Sequence, residues 1–275
     1  MKKNLLLSFL LIPFFMFSSN SLFRNDWKTA LKEAKKSKKR VFFVFHTDWC
    51  PHCRMLFKTT LKDKKMLDYF KKENYMLIEV NPEKDKVAES TFKVYGYPTT
   101  IVFEKTGEEI DRILGYKTTE QMIKILEGFK IGKGTLKDYL NRYRKEKNNF
   151  KLMSDIATKY IARAEFAKAI DILDKLIAKA KGKDEKMEKE GYDKKAYAYY
   201  KWKKFNKAAE VLLSIKDKFS EKDGKDALFG AAYYYERGNN KKKAIEVYKE
   251  IIRRFPNSSE AKKIREKIKK LSENS

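Results

Sequence analysis

Arg40-Val41-Phe42-Phe43-Val44-Phe45-His46-Thr47-Asp48-Trp49-Cys50-Pro51-His52-Cys53-Arg54-Met55-Leu56-Phe57-Lys58 is the stretch that decides the fold. Residues 41–45 are an unbroken apolar run, as a strand buried on both faces requires. From Pro51 onward apolar residues recur at helical spacing, and proline suits a first helical position. The chain of 275 residues has two cysteines, and both lie at this strand-to-helix junction. There Cys50 meets the unpaired amides and positive dipole end of the helix, which favour thiolate over thiol. Cys53 lies one turn inside, in reach of a disulfide formed at Cys50. A bridge closing so short a loop restrains little unfolded chain, which argues against a purely structural disulfide.

The neighbouring residues fit exchange chemistry at such a pair. Trp49 would shield one side of it. Pro51 starts the helix without needing its N–H. His52, when protonated, would stabilise the Cys50 thiolate and therefore the reduced form. The two histidines, His46 and His52, flank the cysteines. Converging all four side chains on one ion would distort the junction, so no metal is expected. No diffusible cofactor is expected either, because the dithiol is itself the redox group.

Outward from the junction, residues 26–37 read as a helix and 51–72 as a helix with breaks. Strands are predicted at 75–80, 99–104 and 109–114, with helices at 86–93 and 118–129. The alternation ends in a hairpin turning through Gly107, which implies a mixed sheet with helices on both faces. Residues 27–129 resemble the thioredoxin fold family. The resemblance rests on Trp49-Cys50-Pro51-His52-Cys53, on Gly96-Tyr97-Pro98-Thr99 before a strand, and on Gly107. It implies a cis peptide at Pro98, facing the dithiol, beside which substrate backbone pairs, with Tyr97 preceding it. The lead-in Thr47-Asp48-Trp49-Cys50 is similar to exported thioredoxin-like domains, including the carboxy-terminal domain of Dsb electron-transfer proteins. Pro51-His52 is similar to the periplasmic disulfide oxidant of the Dsb family. These two likenesses leave the direction of electron flow open. Thioredoxins carry a buried aspartate where this chain has Val44, and a buried lysine where a gap-free count puts Glu79. Glu79 is therefore a candidate relocated acid near Cys53, against the plainer reading of a surface glutamate on an alternating strand.

Beyond residue 148 glycine becomes rare and small and large residues follow helical periods. Three stretches repeat: Ala157, Tyr160, Phe166, Ala169, Leu173; then Ala196, Tyr199, Phe205, Ala208, Leu212; then Ala232, Tyr235, Ala244, Tyr248, Pro256. The pattern resembles tetratricopeptide helical hairpins, whose period is about 34 residues. The spacing is looser here, and the charged segment 181–190 is expected to absorb the excess. Tyr192, Tyr197, Tyr199, Tyr200 and Trp202 crowd the middle unit, either as core or as a docking surface for a protein partner.

The fold class expected is an α/β thioredoxin fold followed by an all-α helical-repeat domain. Its divisions are a signal peptide at 1–21, a thioredoxin-like domain at 22–130, a connecting helix or linker at 131–149, and repeats at 150–275. The signal reading rests on Met1-Lys2-Lys3, an apolar run over 5–17, and Ser18-Ser19-Asn20-Ser21. It implies export to the periplasm or cell envelope, with the chain anchored there if the signal stays uncleaved. A formal net charge of +26 attracts anionic partners in principle. The charges are spread rather than blocked and no nucleic-acid motif accompanies them, so no nucleic acid is expected. The expected partners are cysteine-containing envelope proteins, a membrane electron carrier of the Dsb type, and a protein docked on the repeats. The competing function is a repeat-type adaptor whose Cys-x-x-Cys is structural, vestigial or metal-binding.

Overall fold

The computed structural model describes residues 23–273. The export signal read at 1–21 lies outside them. Four strands form one mixed sheet: β1 (Arg40–Phe45), β2 (Tyr75–Val80), β3 (Thr99–Phe103) and β4 (Glu109–Leu114), in the order β2-β1-β3-β4. β1 pairs parallel with β2 and antiparallel with β3, and β3 pairs antiparallel with β4. The continuous apolar run of β1 is explained by its central place, for residues 41–45 are all buried. Val41, Phe43 and Phe45 pack under α1 (Trp27–Lys36) and α4 (Lys86–Phe92). Phe42 and Val44 face the opposite layer, which includes Leu56, Phe70, Met122 and Leu126.

The helix expected over 51–72 is divided. α2 (Pro51–Met55) widens into one π-helical turn, Leu56–Thr60, and α3 (Lys64–Lys72) starts afresh. The Asp63 carboxylate accepts the Lys65 N–H and provides the new start that the apolar periodicity alone did not show. α5 (Thr119–Lys130) opens on a reciprocal cap between Thr118 and Gln121.

The rest is helical. α6 (Leu136–Lys145) leads to three antiparallel hairpins and a last helix, α13 (Ala261–Glu273). The hairpins are α7 (Phe150–Ala162) with α8 (Phe166–Ala180), α9 (Glu185–Lys201) with α10 (Phe205–Leu213), and α11 (Glu221–Arg237) with α12 (Lys241–Arg254). Ala157, Ala169, Ala196, Ala208, Ala232 and Ala244 are all at most 1% exposed, which fits small residues at close helix crossings. Each hairpin turns through one left-handed residue: Ala164, Lys203 and Asn239. Each turn closes with the same wide backbone bond, from Glu165 to Tyr160, Lys204 to Tyr199 and Asn240 to Tyr235. The charged segment 181–190 takes up the extra length of this unit as a turn and the start of α9. Asp184 caps α9, and the segment forms that helix's first turns, burying Glu188 against Lys218.

The two parts meet on edge strand β4. Asp111 is fully buried there and pairs with Arg163 at 2.7 Å and Lys159 at 3.1 Å, both presented by α7 and its end. Its other oxygen lone pairs accept the amides of Arg112 and of Leu136, the first residue of α6. Arg112 grips Glu109 through two nitrogens and donates to the Ala162 carbonyl.

Two outcomes follow. Asp111→Ala leaves two cations buried without that carboxylate and is expected to cost about 3–5 kcal/mol in urea unfolding of the full chain. In α11 a Cβ on Gly224 would lie 2.1 Å from the backbone oxygen of Lys216, whereas one on Gly191 would meet the Ile177 side chain at 2.7 Å. Gly224→Ala is therefore expected to lower stability by about 1–3 kcal/mol, and by more than Gly191→Ala, since a side chain yields more readily than a backbone.

Candidate functional site

Cys50 and Cys53 are joined as a disulfide at the start of α2. Cys50 is the helix cap: its sulfur accepts the Cys53 N–H at 3.1 Å, the contact by which a helix N-terminus favours a thiolate. The turn before it is closed by the Cys50 N–H donating to the Thr47 carbonyl, and Arg54 braces it by donating to the Asp48 carbonyl. In this oxidised state both cysteines are buried, Cys50 at 4% exposure and Cys53 at 1%. Pro51 and His52 are exposed at the rim.

Trp49 is 64% exposed and extends toward the loop before β3. Its indole N–H donates to Glu83, and its edge meets the Tyr97 ring at 6.2 Å. The Tyr97–Pro98 peptide is cis. Thr99 fastens the loop by donating to the Gly96 carbonyl, and the Gly115 N–H donates to the Pro98 carbonyl. The Tyr97 hydroxyl donates to Glu89 of α4; burial, reinforced by that carboxylate, keeps the phenol well above its ordinary range. Glu83 and Glu89 were not legible as site residues, because their partners are fixed by loop geometry rather than by chain spacing.

Glu79 lies beside Val44 in the parallel register, and side-chain alternation puts it on the α2 side of the sheet. It is half-buried, and burial raises its carboxyl above the usual range, with Lys84 opposing the rise. Its Oε2 is 4.0 Å from the Nε2 of His46, whose ring packs on Phe57 of the π turn. Burial lowers the His46 imidazole below its ordinary value, against the opposite pull of Asp48. A small cavity of about 160 Å³ opens between His46, Glu79, Asn81, Lys84 and Asp85, and neither cysteine is in its wall. The structure thus brings Glu79 together with His46 beneath the dithiol helix, a pairing not anticipated from sequence. The signal available was parity, since His46 and Val44 are two residues apart on one strand line.

A second opening of about 270 Å³ joins this site to the helical part. It runs from Pro98 and the end of β4 to Ile161 of α7 and to Tyr197 and Lys201 of α9. Among the described residues no helix is long and apolar enough to cross a membrane.

A family model described as a thioredoxin-like domain matches residues 27–130, and one described as a tetratricopeptide repeat matches 226–258. The thiol:disulfide interchange protein DsbD of Campylobacter jejuni is 30% identical over 108 residues, which are 38% of this chain and 18% of DsbD. The chain thus spans less than a fifth of that relative's length. Thioredoxin H4 of Arabidopsis thaliana is 31% identical over 104 residues, 38% of this chain and 83% of that protein. Among solved structures, the carboxy-terminal domain of Neisseria meningitidis DsbD in the oxidised form is 21% identical. It covers 36% of this chain and 90% of its own, with a TM-score of 0.33.

The His46–Glu79 pair has opposite pH signatures. As pH falls through about 6.5, the unfolded chain takes up a proton that folded His46 refuses, so this group removes stability on acidification. Glu79 acts the other way: just above pH 4.5 the folded carboxyl holds a proton the unfolded one releases. His46→Gln is therefore expected to gain stability relative to the wild type when urea unfolding is moved from pH 7.5 to 5.5. A difference that stays constant would exclude a buried neutral imidazole.

Proposed function

Because the chain belongs, through residues 27–130, to the thioredoxin-like family, we propose that it is an exported thiol–disulfide oxidoreductase acting on cysteine-containing envelope proteins. The observation that carries this reading is the Cys50–Cys53 disulfide capping α2, beside the loop of Pro98. Export rests on the signal-like order of residues 1–21. The divisions proposed are that signal, the catalytic part at 22–130, a connecting segment at 131–149 and the repeats at 150–275.

In the oxidising direction, a substrate thiolate attacks the Cys50 sulfur. The Cys50–Cys53 bond breaks and its electron pair leaves on Cys53, which takes a proton. A second substrate thiolate then attacks the substrate sulfur of the mixed disulfide and releases Cys50 as thiolate. The substrate loses two electrons and two protons; the pair keeps both electrons and one proton, and the other proton passes to water. Reduction of a substrate disulfide is the same sequence reversed, and it draws electrons from a membrane carrier of the Dsb type.

The supporting residues are assigned roles from the resemblance and from their places around the pair. The α2 terminus and a protonated His52 stabilise the Cys50 thiolate. Pro51 opens α2 at a position whose N–H would be unpaired in any case. Glu79, with His46 against it, is the acid that holds or moves the Cys53 proton. Trp49, Tyr97 and Pro98 form the rim on which a substrate backbone lies. The helical repeats dock a partner protein, a reading supported by the repeat match at 226–258 and by exposed Tyr197, Trp202 and Tyr233.

The equilibrium potential of the pair in glutathione buffer tests the reading. A value near about −120 mV marks an oxidant and one near about −270 mV a reductant, and absence of reversible exchange overturns the proposal in favour of an adaptor. Cys50→Ser is expected to abolish exchange, and Cys53→Ser to accumulate the mixed disulfide. His52→Gln is expected to make the potential more negative, by about 30 mV for each tenfold loss in stability of the reduced form.

A further inference from the structure

The opening between the Pro98 loop and the helical part has a cation, Lys201, in its wall. Lys201, at the end of α9, donates to the Tyr95 carbonyl at 2.8 Å and lies over the rings of Tyr197 at 5.2 Å and Tyr200 at 5.8 Å. Among the described residues no carboxylate pairs with it. Several lysines of the helical part do have acids, as Lys194 has Glu190, Lys189 has Asp193 and Asp223, and Lys216 has Glu250, whereas Lys179 is held by the Lys147 carbonyl and Asn148 and Lys204 lies over Trp202. A half-buried ammonium held by one carbonyl and two ring faces is incompletely compensated for the water it has lost. Burial accordingly lowers its proton affinity, with no acid opposing the effect.

The place matters as much as the charge. The same opening is lined by Tyr97 and Pro98 at one end and by exposed Tyr95 and Tyr197 at its mouth. A chain lying along the Pro98 rim, with its cysteine at Cys50, would run into it. Its volume of about 270 Å³ has room for side chains but not for a folded domain. The free donors of Lys201 supply what a carboxylate accepts, and the tyrosine rings supply apolar faces for its stem and its neighbour.

We propose that this opening is a specificity pocket for the substrate segment beside the reacting cysteine, and that Lys201 selects segments carrying an aspartate or glutamate. The proposal deepens the oxidoreductase reading and rests on it. The helical part then forms one wall of the substrate groove in addition to any docking surface of its own.

The test uses the full-length protein, reduced, with two peptides that differ only in a glutamate or glutamine near a single cysteine activated as a mixed disulfide. Stopped-flow tryptophan fluorescence gives the rate constant for each. The wild type is expected to prefer the glutamate peptide about tenfold, the worth of one charge-assisted hydrogen bond at a partly buried site. Lys201→Met is expected to bring the ratio to about one, and Lys201→Arg to restore most of it. Lys207→Met, which removes an exposed charge outside the pocket, is expected to leave the ratio unchanged. That control separates the pocket from general attraction by a chain of net charge +26. A ratio near one in the wild type, or a preference that survives Lys201→Met, overturns the proposal. Reaction of the wild type with uncharged dithiodipyridine is followed in parallel. Its failure would strike the oxidoreductase reading instead, and so distinguishes the two.

Discussion

The buried carboxylate of Asp111 is the interaction on which the arrangement of the molecule depends. It sits on the outer strand of the sheet, and both its oxygens are committed to groups from beyond residue 130: Arg163, Lys159 and the first amide of α6. Such a cluster is not by itself a large gain, because desolvating the charges offsets much of their attraction. Its consequence is positional. An uncompensated carboxylate at this depth is costly, so the helical part is held against β4 in one orientation. The wall formed by Ile161 and Lys201 beside Pro98 depends on that orientation.

The sequence was most legible where structure is local. The unbroken run in β1, proline after Cys50 and the alternation of short elements all act over a few residues, and the sheet and its helices lie where those signals put them. The hairpins of the helical part were legible through alanine, since six alanines recurring with the pattern are the residues that vanish at the helix crossings. The break of the dithiol helix at Asp63 was less visible, because a cap interrupts an apolar period without disturbing it. The charged run 181–190, expected to absorb the excess repeat length, does so as the turn before α9 and that helix's first turns. Asp184 followed by Glu185 and Glu188 is how a helix begins.

What connects distant parts of the chain was not legible. Glu79 could be placed by a gap-free count back from Pro98, yet its companion His46 emerged only with the strand register. Asp111 reads in sequence as an ordinary polar residue of an outer strand, since nothing in its neighbours reports that Arg163 will reach it. Lys201 was hidden twice over: lysine is abundant throughout, and its distinction is its place across the opening from Pro98. Pairings across long separations depend on the packing angle of whole elements, which composition and periodicity do not encode.

The outer strand has one more consequence. A sheet edge with free amides and carbonyls is a template for pairing with another chain. Here the Arg112 carbonyl receives Lys159, α7 lies along β4, and at the opposite edge the segment around Arg24 bridges to β2. Both margins of the sheet are therefore occupied from within the same polypeptide. Cutting the chain after α5 would bare one of them together with a desolvated aspartate. The helical part thus also covers a strand margin that would otherwise stand open to another chain.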